Sequence, residues 1–177
     1  MTTTQQASFE QAQQEKNRGN EYFRNKQYEE ACECYTLALG ASLSDTDRAA
    51  CFANRAAAKL KLEDYEGALE DCSEALSLDG NYWKALYRRE QCYLKLGRYE
   101  EALKDAKVLS EARQISTEEV HRIERLKERE DERRKEEAMT KLKEVGNSVL
   151  GYFGLSVDNF KLDKDPETGS YNIRLQK

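Results

Sequence analysis

The sequence is poor in the residues on which most catalytic and metal sites depend. It contains a single histidine, His121, so a zinc site, a Cys–His pair or a serine triad would each have to use that one side chain. His121 lies in a highly charged segment, where we expect a solvated side chain. No glycine-rich loop that could bind phosphate groups is present. These absences argue against an enzyme, and we expect no cofactor and no metal.

Long apolar runs are also missing. The sequence has no stretch of 18 apolar residues and no apolar segment near its first residue, so we expect a soluble, cytoplasmic protein that does not insert into membranes. With 29 Lys and Arg against 34 Asp and Glu, the net charge is −5 at pH 7. This acidic balance argues against a nucleic acid as partner.

Cysteine pairs of the kind that bind metals or form redox centres are absent. The five cysteines are odd in number, include no Cys-x-x-Cys spacing and occupy helical apolar patterns. We therefore expect buried, small hydrophobic side chains in a reducing compartment. The residues are Cys32, Cys34, Cys51, Cys72 and Cys92.

The sequence does contain an internal repeat. Three segments align without gaps: Asn-Lys-Gln-Tyr-Glu-Glu-Ala from Asn25, Leu-Glu-Asp-Tyr-Glu-Gly-Ala from Leu62, and Leu-Gly-Arg-Tyr-Glu-Glu-Ala from Leu96. Their tyrosines are separated by 37 and then by 34 residues. This spacing indicates a unit of about 34 residues, with a short insertion between the first two copies that we place in 42–47.

Each copy is predicted to form two helices, because apolar residues recur at helical spacing on both sides of the repeated tyrosine. Ser44, followed by Asp47 three residues later, resembles a capping box, and Asp64 could cap another helix start. Gly80 and Gly97 lie where helices would end. A helix pair of this size cannot bury its own apolar side, so stacking of neighbouring pairs must provide the stability.

The period and a set of small and aromatic residues resemble the tetratricopeptide repeat family over about residues 9–112. These residues are Gly19, Tyr22, Ala31, Tyr35 and Ala38 in the first copy, with Ala68, Cys72 and Ala75 in the second. Glu90 departs from the pattern, since it stands where the third copy should have a small residue. The resemblance implies an all-α fold of three stacked helix pairs in a right-handed superhelix, with the first helices lining a concave face.

Five polar residues would lie on those first helices: Lys16, Asn20, Asn54, Lys84 and Arg88. Three are cations and two are carboxamides with hydrogen-bond donors, which suits them to bind carboxylates. They resemble the dicarboxylate clamp with which co-chaperones of this family bind the acidic C-terminal tails, of Glu-Glu-Val-Asp type, of the seventy- and ninety-kilodalton heat-shock chaperones. Two other interpretations stay open: solvated surface charges, or an inherited clamp that binds another acidic partner.

The composition changes after residue 112. From 117 to 137 nearly every residue is charged, with opposite charges recurring four positions apart, which favours a helix over disorder. A short apolar stripe of Val120, Ile123 and Leu126 could cap the third repeat. We therefore expect a capping and spacer helix over 113–150.

The last segment, 151–177, is hydrophobic, and a β-hairpin is predicted within it. Apolar residues alternate with polar ones on both sides of a turn-forming Asp-Lys-Asp-Pro-Glu-Thr-Gly segment. The alternating residues are Phe160 and Leu162, then Tyr171, Ile173 and Leu175. With the charged helix, this segment resembles the C-terminal region of the tetratricopeptide repeat protein 1 family. Those cytosolic adaptors are described as associating with chaperones and with signalling proteins, including GTPases.

The expected organisation is a flexible tail over 1–8, repeats over 9–112, the spacer helix and the C-terminal segment. The expected function is that of a non-enzymatic adaptor, a co-chaperone whose groove binds chaperone tails. The alternative is a scaffold that binds folded signalling proteins, such as GTPases, through the charged helix and the C-terminal segment.

Overall fold

A computed structural model of the chain describes residues 3–41, 43–164 and 171–175. These ranges contain seven α-helices and two β-strands: α1 (Thr3–Arg24), α2 (Tyr28–Leu39), α3 (Asp45–Lys61), α4 (Tyr65–Leu78), α5 (Trp83–Lys95), α6 (Tyr99–Glu111), α7 (Thr117–Gly151), β1 (Phe160–Lys164) and β2 (Tyr171–Leu175). The predicted all-α fold is confirmed. The chain forms two compact units, Met1–Lys127 and Glu128–Lys177. None of the described helices is both long and apolar enough to cross a membrane.

The first unit contains the three predicted helix pairs, α1–α2, α3–α4 and α5–α6. Each repeated tyrosine is the first residue of the second helix in its pair. Small side chains build the core between neighbouring pairs: Ala56 of α3 and Ala68 of α4 pack with Cys92 of α5. At Gly19 of α1 an added Cβ would lie 2.7 Å from the ring of Tyr35, so only glycine fits there. Stacking therefore depends on small residues at fixed places in the repeat.

The predicted boundary signals are confirmed at three helix ends. Ser44 caps α3 by accepting a hydrogen bond from the backbone N–H of Asp47, and Asp64 caps α4 by accepting one from Gly67. Gly97 follows α5 with a φ of +70°, a left-handed conformation that favours glycine. The helix ends thus follow from local side-chain chemistry.

The insertion between the first two copies lengthens the start of α3. This helix has 17 residues, whereas its counterpart α5 has 13. The extra turn carries Asp45 and Asp47, while Ser42, at the start of the expected insertion, lies outside the described residues.

The first residues of the chain differ from the sequence-based expectation. Helix α1 begins at Thr3, within the expected flexible tail, because 3–8 contain no proline or glycine to stop it.

Two partly buried ion pairs recur at the same place in the second and third helix pairs. Arg55 and Asp71 are joined by two hydrogen bonds of 2.9 and 2.7 Å, and Arg89 and Asp105 by two of 2.7 Å. Both carboxylates are buried, and each pair ties the first helix to the second helix of its repeat. In the first repeat the corresponding carboxylate position is the buried Cys34, which cannot form this ion pair.

The cysteines and the start of α7 behave as the sequence predicted. Four cysteines are buried and Cys32 is half-buried, and none forms a disulfide. Burial raises the pKa of Cys51 to about 11, so this thiol stays protonated at neutral pH. Val120 and Ile123 of α7 pack against Ala102 and Ala106 of α6 and close the core of the third pair.

The second unit comprises the rest of α7 and the confirmed hairpin. The strands are antiparallel, with Phe160 opposite Leu175, and most of the predicted turn lies outside the described residues. A short 3₁₀ turn before β1 folds back on α7, where the Asn147 Oδ1 accepts a 2.6 Å hydrogen bond from the Val157 N–H. Large apolar side chains remain exposed on this part of α7, at 58 to 66%: Met139, Leu142, Val145 and Val149.

Candidate functional site

The five predicted site residues all lie on the first helices of their pairs. Lys16 and Asn20 are on α1, Asn54 is on α3, and Lys84 and Arg88 are on α5. Three of them, Asn20, Asn54 and Arg88, line one cleft of about 180 Å³, with Phe23, Arg24, Tyr35 and Ala57 as the other lining residues. Stacking of the pairs has thus brought together two amides and a guanidinium that are up to 68 positions apart in the sequence.

The two amides are held by a hydrogen-bond network at the cleft. The Asn20 Oδ1 accepts a 2.8 Å bond from the Tyr35 hydroxyl and a 3.2 Å bond from the Asn54 Nδ2. Because the oxygen of Asn20 is engaged, its Nδ2 group is left as a donor for a ligand. Burial raises the pKa of Tyr35 to about 12, so the hydroxyl stays protonated and keeps donating at neutral pH.

Arg88 is anchored beside these amides. Its Nη1 donates a 3.0 Å hydrogen bond to the backbone carbonyl of Ala53, the residue before Asn54. A guanidinium has five N–H donors, so this single bond leaves others available to a carboxylate. The contact fixes a cation next to the amide donors and spans the second and third helix pairs.

Lys16 has an internal partner that the sequence analysis missed. Its Nζ lies 2.7 Å from the Asp47 Oδ1, and the side chains are 18% and 25% exposed, respectively. The other oxygen of Asp47 accepts a 2.9 Å hydrogen bond from the Ser44 hydroxyl. Hydrogen bonds from Lys16, and further ones from Gln13 and Ser44, lower the pKa of Asp47 to about 2. The signal that could have revealed this partner is the insertion itself, because Asp47 lies on the extra turn of α3.

Lys84 differs from the other four residues. It is exposed, lies one turn before Arg88 on α5, and has no ion-pair or hydrogen-bond partner within the part of the chain that the structure describes. Neither Lys84 nor Lys16 lines the small cleft itself. The site is therefore an amide–guanidinium centre, with one paired and one unpaired lysine on the same helices.

A larger groove of about 900 Å³ continues from the cleft and shares Phe23, Ala57 and Arg88 with it. Its walls come from α1, α3, α5 and α7, from the α3–α4 turn and from the first residues of α4 and α6. They combine aromatic and aliphatic side chains with charges of both signs. The apolar and aromatic residues include Leu60, Tyr65, Tyr87, Leu94, Tyr99 and Leu126. Such a surface suits an extended peptide whose end is held in the cleft.

Glu90 lies in the wall of this groove and is only 2% exposed. Its Oε1 has no hydrogen-bond partner among the described residues. Burial raises the pKa of Glu90 to about 7, and the negative charges of Glu119 and Asp105 add to the effect. Glu90 departs from the repeat pattern in the sequence, but that departure alone predicted no role for it.

Comparison with known proteins identifies the repeats. A family model described as a tetratricopeptide repeat matches residues 59–124. The mitochondrial import receptor subunit TOM70 of Rattus norvegicus is 38% identical over 101 residues, which are 56% of this chain and 17% of that protein. The Hsp70/Hsp90 co-chaperone cns1 of Schizosaccharomyces pombe is 42% identical over 92 residues, 51% of this chain and 26% of that protein. The chain thus spans a minor part of the length of these relatives.

Two solved tetratricopeptide repeat domains match this chain over nearly the full length of the domain. The second TPR of Spaghetti (RPAP3), bound to the HSP90 peptide SRMEEVD, is 44% identical with a TM-score of 0.54, and the match covers 59% of this chain and 93% of that chain. The second TPR domain of human RPAP3, in complex with the HSP70 peptide SGPTIEEVD, is 38% identical with a TM-score of 0.59, covering 68% and 98%. The chain belongs to the tetratricopeptide repeat family.

Proposed function

We propose that this chain is a cytoplasmic, non-enzymatic adaptor whose groove binds the acidic C-terminal tail of a seventy- or ninety-kilodalton heat-shock chaperone through a dicarboxylate clamp. The observation that carries the proposal is the convergence of Asn20, Asn54 and Arg88 on one cleft. The two RPAP3 domains, similar in sequence and fold, are bound to peptides that end in Glu-Glu-Val-Asp. Both lines point to the same chemical class of ligand.

The cleft suits a chain terminus better than an internal acidic residue. A C-terminal aspartate carries two carboxylates within a few ångströms, and only the end of a chain has that arrangement. In the proposed complex, amide N–H groups of Asn20 and Asn54 orient the carboxylate oxygens. Arg88, Lys84 and Lys16 supply the positive charge, and Lys16 shares its charge with Asp47.

The expected affinity is moderate. Hydrogen bonds to charged groups contribute about 1.5 to 3 kcal/mol each, while association costs at least several kcal/mol. A few such bonds then give a Kd on the order of micromolar. An affinity in this range would let the adaptor exchange between chaperones.

The experiment is isothermal titration calorimetry with the peptide SRMEEVD as free acid and as C-terminal amide. We expect the amide to bind at least ten-fold more weakly, because it removes one of the two carboxylates. Lys84→Ala and Arg88→Ala should each weaken free-acid binding by about 1 to 3 kcal/mol. Lys104→Ala is the matched control, since it removes an exposed cation from α6 outside the groove. Equal affinity of acid and amide, or of wild type and both groove variants, would refute the clamp.

A second candidate is a scaffold that binds folded signalling proteins, such as GTPases, through the charged helix and the C-terminal segment. It is favoured by the exposed apolar residues of the second unit, among them Leu142 at 66% and Val149 at 58% exposure. The double variant Leu142→Ser, Val149→Ser should then abolish capture of a GTPase without changing the affinity for SRMEEVD. Capture that survives this change would argue against the scaffold surface.

A further inference from the structure

The groove beside the cleft contains a carboxyl group that its surroundings do not satisfy. Glu90 is almost fully buried, and its Oε1 accepts no hydrogen bond from any described residue. Two of the nearby cations are engaged elsewhere: Arg89 forms two hydrogen bonds with Asp105, and Arg122 of α7 is paired with Glu119. No described residue therefore donates a hydrogen bond to the Glu90 Oε1, although the groove around it carries charges of both signs.

An unpartnered buried carboxyl group is unfavourable when it is ionised, because burial removes its hydration. This cost raises the pKa of Glu90 to about 7, so neutral and ionised forms are both populated near neutral pH. A cation that entered the groove and reached Glu90 would stabilise the ionised form. The ionisation of Glu90 therefore depends on the charge of a ligand bound in the groove.

Glu90 lies where residues that precede the clamped end of the peptide would pass. It lies two residues after Arg88, and Arg88 lines both the cleft and the larger groove. A peptide whose terminal carboxylates are held in the cleft therefore places its preceding residues along the wall that contains Glu90. The tyrosine rings of Tyr65 and Tyr87 in the same groove can pack against the aliphatic stem of a long side chain.

We infer that Glu90 is a specificity-determining residue, whose carboxylate accepts a hydrogen bond from a lysine or arginine that precedes the Glu-Glu-Val-Asp end of a bound tail. The inference rests on the proposed function, since the clamp sets which part of the peptide reaches the groove. An acidic residue at the same peptide position binds more weakly, because it would face the like charge of the Glu90 carboxylate. The charge of that peptide residue then selects among tails with the same last four residues.

The test uses the whole chain and seven-residue peptides that end in Glu-Glu-Val-Asp. One of the three preceding positions carries Lys, Met or Glu in turn, and the other two carry Ala. At one of these positions we expect wild type to bind the Lys peptide about ten-fold more tightly than the Met peptide, and the Glu peptide most weakly. Glu90→Gln keeps the shape of the side chain but cannot ionise. It should reduce the Lys preference to less than two-fold.

A pH series separates this role from simple packing. For wild type, affinity for the Lys peptide should rise several-fold between pH 6 and pH 8, because Glu90 loses its proton over this range. The other charged groups in the surroundings are Asp105 on α6, Glu119 and Arg122 on α7, and Lys61, Glu63, Arg88 and Lys95 along the groove. They are unchanged in Glu90→Gln, so a flat profile in that variant assigns the effect to Glu90.

The outcomes distinguish this inference from the clamp. Equal binding of the Lys, Met and Glu peptides at all three positions, or a Lys preference that persists in Glu90→Gln, would overturn the role of Glu90 while the clamp stands. No difference between the Met peptide and its C-terminal amide would overturn the clamp, and this inference with it. Thermal unfolding of Glu90→Gln checks that the fold is retained. If that variant unfolds, the wild-type peptide and pH series still decide the inference.

Discussion

Replacing Asp47 with Asn should strengthen the binding of a carboxylate-terminated peptide. Asp47 lies 2.7 Å from the Lys16 Nζ, so a ligand carboxylate that uses Lys16 must share it with an anion already in place. Asp47→Asn removes that anion and preserves the size of the side chain. The Lys16 ammonium group can then form its ion pair with the ligand carboxylate only.

The size of the effect follows from Coulomb's law and the partial exposure of the pair. Two unit charges 4 Å apart interact with about 4 kcal/mol at an effective dielectric constant near 20, and with about 1 kcal/mol in bulk water. The side chains of Lys16 and Asp47 are 18% and 25% exposed, so the pair is partly screened. We expect a net gain of about 1 kcal/mol, or roughly a five-fold tighter Kd.

The assay is calorimetric titration with SRMEEVD, with Asp45→Asn as the matched control. Asp45 lies on the same turn of α3 and loses the same charge on substitution, but it is exposed and has no ion-pair partner among the described residues. Its substitution should change Kd by less than about two-fold, since exposed charges contribute little. If Asp47→Asn binds no more tightly than Asp45→Asn, the reasoning about Lys16 is wrong.

The same substitution has a pH-dependent effect on stability. The pKa of Asp47 is lowered from 3.8 to about 2 in the folded protein, so its ion pair stabilises the fold above about pH 4. This contribution is lost as the pH falls from 4 to 2. After allowance for solvent screening it amounts to about 1 kcal/mol at neutral pH. Urea unfolding should show Asp47→Asn less stable than wild type at pH 7, with a difference that shrinks as the pH falls toward 2.

Three further predictions concern the scaffold behind the site. Asp71→Ala removes the buried carboxylate that pairs with the half-buried Arg55 and with Lys59. It should lower the free energy of unfolding by about 3 kcal/mol in urea titrations, the low end for a buried pair because Arg55 is partly exposed, whereas a loss below about 1 kcal/mol would contradict the ion-pair argument. Gly19→Ala places a Cβ 2.7 Å from the ring of Tyr35 and should lower the free energy of unfolding by about 1 to 3 kcal/mol. An unchanged melting temperature would show that α1 and α2 can move apart to accommodate the methyl group. Tyr35→Phe removes the hydrogen bond to Asn20 and should weaken peptide binding by about 0.5 to 1.5 kcal/mol with the fold retained. Unchanged affinity would show that the hydroxyl does not position Asn20 for binding.

Much of the architecture could be predicted because its signals are local. The repeated tyrosine marks the start of each second helix, Ser44 and Asp64 cap the helices that follow them, and the hairpin strands alternate as expected. These features depend on residues within one or two turns of each other, or on period-two alternation. The start of α1 was less predictable, since 3–8 carry neither a strong apolar pattern nor a strong stop signal.

The contacts within the site could not be predicted in the same way. The sequence placed all five polar residues on the first helices, but it did not indicate that Tyr35 orients Asn20 or that Asp47 pairs with Lys16. Nor did it indicate that Glu90 would be buried beside a groove without a hydrogen-bond partner. Each of these facts depends on how side chains pack against a neighbouring helix.

The sequence by itself therefore determined the repeat, the helices and the residue types available to a binding face, because period, caps and apolar spacing act within a single helix pair. Only the tertiary structure decided which of those residues meet. Asn20 reaches Asn54 across 34 residues, and Arg88 reaches the carbonyl of Ala53 across 35. Both contacts join different helix pairs, so they exist only after the pairs have stacked, and stacking depends on the packing of the whole array.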